Sequence, residues 1–133
     1  QWSLVDNQDL RYCELNDFDK AMISLIKKEK LLSKEAFFLK VHEDDNVLIY
    51  GKGNLVFAYN FHPYKSFEGY PIPVKDKGTY QVVLSTDDGK YGGMSRIDTE
   101  YKYKALDNGY GGYEIRCYMP ARTGMVLKKI SSR

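Results

Sequence analysis

The chain has 133 residues, with 20 Lys and Arg against 18 Asp and Glu and a formal net charge of +2. Acids and bases are interspersed, so no basic stripe argues for nucleic acid, and no run approaches the ~18 apolar residues that span a membrane. This length makes one domain with room for an appendage, and it can bury a sizeable core. Twelve Tyr and six Phe favour strands or an aromatic surface. Cys13 and Cys117 are too few for a disulfide framework and read as reduced thiols of a cytoplasmic protein. Gln1-Trp2-Ser3-Leu4 carries neither an initiator Met nor a signal-peptide pattern, so a piece of a longer chain is expected.

Residues 1–33 are compositionally helical. Asn16 is a plausible N-cap, with Asp17 and Asp19 in the first turn where the dipole favours acids. Phe18, Ala21, Met22, Leu25 and Ile26 follow at the spacing of one apolar helix face, and Lys27, Lys28 and Lys30 crowd the last turn. From residue 34 the period changes to two. Strands are predicted at 36–42 and 47–50, the second closed by the hairpin turn Gly51-Lys52-Gly53-Asn54. Residues 55–63, Leu-Val-Phe-Ala-Tyr-Asn-Phe-His-Pro, form the central strand. Its near-continuous apolarity predicts burial on both faces, and Pro63 ends it.

A longer loop over 64–78 has a short edge strand near 70–74. Another strong strand covers 79–85, then Asp87-Asp88-Gly89-Lys90 turns the chain. The Gly92-Gly93 pair implies special backbone angles or close packing. Residues 99–112, polar and rich in Tyr and Gly, look least ordered. Strands at 113–119 and 123–130 close the domain, joined by Pro120-Ala121-Arg122. Short strands with turns every 8–12 residues predict a mainly β protein, an antiparallel β-sandwich preceded by one or two helices.

Chemistry is sparse. His62 reads as a loop histidine bonded to nearby backbone, and His42 has no partner close in sequence. Two His and two scattered Cys have no metal-ligand spacing, and neither a phosphate loop, an EF-hand nor a serine-nucleophile motif occurs. Glycoside chemistry needs two positioned carboxyl groups, and acids lying in turns offer no evident pair. No catalytic residue, cofactor or metal is therefore expected. Aromatics remain. Sugar rings stack their C–H faces on exposed rings, so Tyr64, Tyr70, Tyr91 and Tyr110, with Tyr101 and Tyr103, are candidate glucan contacts; as strand residues they could equally be core.

The wording is more specific than the pattern. Trp2-Ser3-Leu4-Val5-Asp6, residues 15–22, Asn60-Phe61-His62-Pro63, residues 78–84, Tyr91-Gly92-Gly93 and Pro120-Ala121-Arg122-Thr123 occur in an order and near a spacing that resembles the α-1,4-glucan branching enzymes of the α-amylase superfamily. Met94 stands where that family often has His. The resemblance implies that 1–33 is the helical tail of a catalytic (β/α)8 barrel and 34–133 its C-terminal all-β domain. It implies a parent that cuts an α-1,4-glucan and remakes an α-1,6 branch, with its catalytic carboxylates upstream of Gln1. Asn60, His62, Pro63, Gly92, Gly93 and Arg122 then carry family wording in a structural role. The expected partners are that barrel and, in a second reading, α-glucan itself; in the isolated chain the apolar helix face would fold onto the sandwich or be covered by a second copy. A third reading is an unrelated protein-interaction sandwich.

Overall fold

The computed structural model describes Ala21, the strand backbone of 36–42, and residues 45–133. The helical stretch predicted over 1–33, with its N-cap Asn16, and Cys13 lie outside the described residues, except that Ala21 is helical and half-buried. Among the described residues no helix is long and apolar enough to cross a membrane.

From residue 36 onward, alternation drives antiparallel pairing. The strands are β1 (Ala36–His42), β2 (Val47–Lys52), β3 (Leu55–Asn60), β4 (Phe67–Val74), β5 (Thr79–Ser85), β6 (Tyr103–Lys104), β7 (Leu106–Asp107), β8 (Tyr113–Met119) and β9 (Thr123–Ser131). They form a six-stranded sheet in the order β1-β2-β3-β9-β5-β6 and a three-stranded sheet β4-β8-β7. Every pairing is antiparallel. The fold is the mainly β antiparallel sandwich predicted. Pro71 and Pro73 sit on β4, at the edge of the smaller sheet, where a missing backbone donor is tolerated.

The core lies between the sheets. Val47 and Ile49 of β2, Val56 and Ala58 of β3, and Met125 and Leu127 of β9 meet Tyr70, Ile72 and Val74 of β4 and Ile115, Cys117 and Met119 of β8. A second cluster covers the outer face of the larger sheet: Leu55, Phe57, Val126 and Leu84, with Ala21, Tyr50, Tyr59 and Tyr91 packed against it. β3 is thus buried on both faces, as its continuous apolar run predicts. β5 joins both clusters through a bulge. Its register shifts between Val82 and Leu84, so Val82 pairs Leu127 on the inner side while Leu84 pairs Val126 on the outer side. One extra residue, the exposed Val83, makes the switch.

The stretch 99–112 is more structured than its composition suggests. Two-residue strands β6 and β7 flank Ala105, which is buried in the inner core and bonded through its N–H to Gly78 O at 2.8 Å.

Candidate functional site

Three connections meet at one end of the sandwich: the β3–β4 loop, the β5–β6 loop and the β8–β9 turn. Asn60 ends β3 with its side chain buried. Its Nδ2 donates to Met119 O at 3.0 Å and to Lys65 O at 2.9 Å, and its Oδ1 accepts from His62 N at 3.0 Å. His62 Nδ1 accepts from Lys65 N at 2.9 Å and Tyr64 N at 3.3 Å, stepping past Pro63, which has no N–H to give. The ring proton of neutral His62 therefore sits on Nε2. Arg122, at φ 56°, donates its N–H to His62 O at 3.2 Å, and Ser66 Oγ accepts from Ala121 N at 2.9 Å. The Asn60–Pro63 wording is thus a clamp that ties the β3–β4 loop to the β8–β9 turn.

Asp87 organises the second loop. It is 2% exposed, the one buried carboxylate among the described residues. Oδ1 accepts from Arg96 Nε at 2.8 Å, while Oδ2 accepts from the backbone N–H of Arg96 and from that of Ile97 at 2.8 Å. Arg96 continues to Thr123 Oγ1 at 3.3 Å. A buried charge is tolerated when it is paired and hydrogen-bonded, and Asp87 is both. Gly92 caps a 3-10 turn over 89–91 with φ 82°, and a Cβ on Gly93 would lie 2.1 Å from the Asp87 backbone. The close packing predicted for the pair is real: the chain folds back so tightly on Asp87 that only glycine fits.

These loops surround an open cleft of about 670 Å³. Tyr64, Tyr91, Asn60, Pro63, Gly92, Gly93 and Arg122 line it, together with Phe61, Met94 and Tyr59. Its rim is apolar. Phe61, Tyr64 and Met94 are exposed, and Phe61 stacks on Tyr59 with centroids 5.7 Å apart and planes at 9°. Burial raises the Tyr59 pKa, keeping that phenol neutral.

Two of the four sequence-chosen tyrosines lie elsewhere. Tyr70 belongs to the core at 7% exposure, and its hydroxyl bonds Asp45 at 3.2 Å. It offers no ring face to a sugar. Burial, then Asp45, pushes its pKa up to about 12. Tyr110 stands alone on the β7–β8 turn, fully exposed. The four do not form a row.

Tyr101 and Tyr103 are brought together instead. Their rings sit 4.7 Å apart at 57°, in a shallow groove of about 280 Å³ that also holds Tyr118, Arg116, Asp98 and Ile97. Burial takes the Tyr103 pKa up to about 12. Arg116 Nε pairs with Glu114 Oε2 at 2.6 Å. Arg96 lines both this groove and the cleft, and so marks the boundary between them. Tyr118 was missed by sequence reasoning, although strict alternation with Ile115, Cys117 and Met119 places it outward. Among the described residues no cluster of His, Cys, Asp and Glu could hold a metal.

Residues 39–130 match the family model described as alpha amylase, C-terminal all-beta domain. The chain is 39% identical over 131 residues to the 1,4-alpha-glucan-branching enzyme of Emericella nidulans, an overlap of 96% of this chain and 19% of that protein. It is 35% identical over 130 residues to that of Saccharomyces cerevisiae, covering 96% of this chain and 18% of the relative. For Dictyostelium discoideum the figures are 35% over 133 residues, with 98% and 20% covered. The chain spans about a fifth of the length of these curated relatives.

Proposed function

Because the chain belongs to the family of the alpha amylase C-terminal all-beta domain, we propose that it is the C-terminal domain of a 1,4-alpha-glucan branching enzyme, bracing the catalytic barrel that precedes it and supplying no catalytic group. The observation that carries this reading is the outer face of the larger sheet. Leu55 and Val126 are 0% and 1% exposed there, against a cluster that includes Ala21 from the preceding helix. A self-sufficient sandwich needs only one buried face per sheet. This sheet has two, and Ala21 from upstream joins Tyr50, Tyr59 and Tyr91 in covering the second. In the same reading residues 1–33 are the tail of the barrel, 34–133 the all-β domain, and the parent works in the cytoplasm on α-1,4-glucan.

Asp87 supports the inert half of the reading. Both of its oxygens are taken by Arg96 and Ile97, so it is a structural anchor with no lone proton-transfer role. The apolar rim of Phe61 and Met94 extends the docking face beyond the outer cluster, because Tyr59 and Tyr91 belong to both.

Deletion of residues 34–133 from the intact enzyme tests the reading. The expected result is a lowered thermal midpoint, with branching lost through unfolding. A truncated enzyme that keeps both its midpoint and its branching rate overturns it. A second reading, an accessory glucan-binding module, is favoured by the clustered Tyr101 and Tyr103.

A further inference from the structure

We propose that the groove beside Arg96, walled by Tyr101, Tyr103 and Tyr118 and edged by Arg116 and Asp98, is a surface site for one or two glucosyl units of an α-1,4-linked glucan. The proposal rests on the reading of the parent as an enzyme of α-glucan, and adds to it a place on this domain where the polymer is held.

The chemistry of the groove differs from that of the cleft. Sugars present C–H faces and hydroxyl edges, so they need aromatic planes next to fixed polar groups. The groove supplies both. Tyr101 is 55% exposed, and its ring meets that of Tyr103 at 57°, which makes a concave corner and not a flat shelf. A curved α-1,4 chain fits such a corner, whereas a β-1,4 chain is a flat ribbon. The Arg116 side chain is 61% exposed and is held by Glu114 through Nε, so a positioned cation edges the groove. Across the boundary the exposed Phe61 and Met94 carry no donor or acceptor, and among the described residues no pair of tyrosine rings forms a comparable corner beside them.

The groove is also rigid where it must be. Asp87 binds the backbone at Arg96 and Ile97, Gln81 Nε2 holds Thr99 O at 2.9 Å, and Tyr101 N donates to Asp98 O at 3.3 Å. The segment carrying Tyr101 is therefore tied down before any ligand arrives, which cuts the entropy lost on binding. At about 280 Å³ the groove lies just below the ~300–1,000 Å³ of small-molecule pockets, a size for stacking a ring or two at a surface.

Hydrogen exchange followed by mass spectrometry on the intact enzyme, with and without maltoheptaose, tests the site locally. The expected result is slowed exchange over residues 98–104 and 114–118. Tyr101→Ala should raise the sugar concentration needed by about threefold to tenfold, and Tyr101→Phe should leave it nearly unchanged. Arg116→Ala, on an exposed side chain, should weaken it as well and stands in if Tyr101→Ala fails to fold. No protection over these segments at saturating maltoheptaose overturns the proposal, as does equal protection by cellohexaose. Branching activity is assayed separately: activity without local protection discards the groove and keeps the family reading, while protection without activity does the reverse.

Discussion

At β3 and the first half of β9 the six-stranded sheet is buried on both faces, but not by the same parts of the chain. The inner face packs against β4 and β8, which belong to the same sandwich. The outer face packs against aromatic side chains and a residue of the preceding helix. Val126 and Leu127 are neighbours on β9, 1% and 0% exposed, yet they point into opposite clusters. A sheet of this kind has intrinsic stability on one side and context-dependent stability on the other. That difference is what a domain made to be attached should look like.

The largest effects should fall on the inner side. Leu127→Ala leaves a cavity in the inner cluster and should cost about 2–5 kcal/mol in urea unfolding, whether or not upstream residues are present. Asp87→Ala comes next, at about 3 kcal/mol, because it strands the N–H groups of Arg96 and Ile97 and the Arg96 guanidinium. Asp87→Ala should also free residues 93–97, seen as faster amide exchange there. Equal exchange in both proteins would mean the carboxylate does not hold that loop.

The outer side should answer differently. Val126→Ala should cost about 1–2 kcal/mol in the full chain, from the two methyls it removes. In a chain starting at residue 34 the cost should be smaller, since Ala21 is gone while Tyr50, Tyr59 and Tyr91 still cover the face. If the cost is the same in both lengths, the outer cluster is self-sufficient and the contrast between the faces disappears.

Much of this was readable in the sequence, for reasons that can be named. The apolar run of β3 announced burial on both faces, His62 bonded backbone as a loop histidine does, and Gly92-Gly93 marked a close approach. Local chemistry decides each of these. Tyr70 was harder: its neighbours Pro71 and Pro73 suggest an exposed edge. Yet Tyr70, Ile72 and Val74 alternate with them and all turn inward, which is where the period-two signal was available. Asp87 looked like one more turn acid beside Asp88. Its partner Arg96 is nine residues away across a loop, and no local pattern reports such a pair. β6 and β7 are two residues each, too short for any periodicity, and their pairing is set by β5 and β8.

Alkali probes chiefly the inner face, Tyr59 being an outer-cluster phenol whose pKa burial also raises. Burial raises the pKa of Tyr70, Tyr80 and Tyr103 to about 12 from an ordinary 10, and raises the Cys117 thiol too. The unfolded chain loses these protons first, so the folded state binds more protons between the two values and stability falls as pH rises. The tyrosines' contribution is complete below pH 10 and disappears as pH climbs through about 12, and that of the Cys117 thiol begins to fall from pH 9. Unfolding free energy measured from pH 9 to 12 should decline across that window, and Tyr80→Phe should flatten the decline. A flat profile in the unaltered protein would mean these phenols are not desolvated in solution.

The smallest effect on the chain itself should be the most informative about its attachment. Phe61 is 61% exposed and Met94 74%, so Phe61→Ser with Met94→Ser should change the stability of the 133-residue chain by no more than ~0.5 kcal/mol. The same pair in the intact enzyme should lower the thermal midpoint by several degrees, because an apolar rim that costs nothing to lose in isolation contributes only when something apolar covers it. The comparison of the two midpoint shifts is what matters. Equal, negligible shifts in both proteins would leave the cleft facing solvent and confine the docking surface to the outer cluster around Leu55 and Val126.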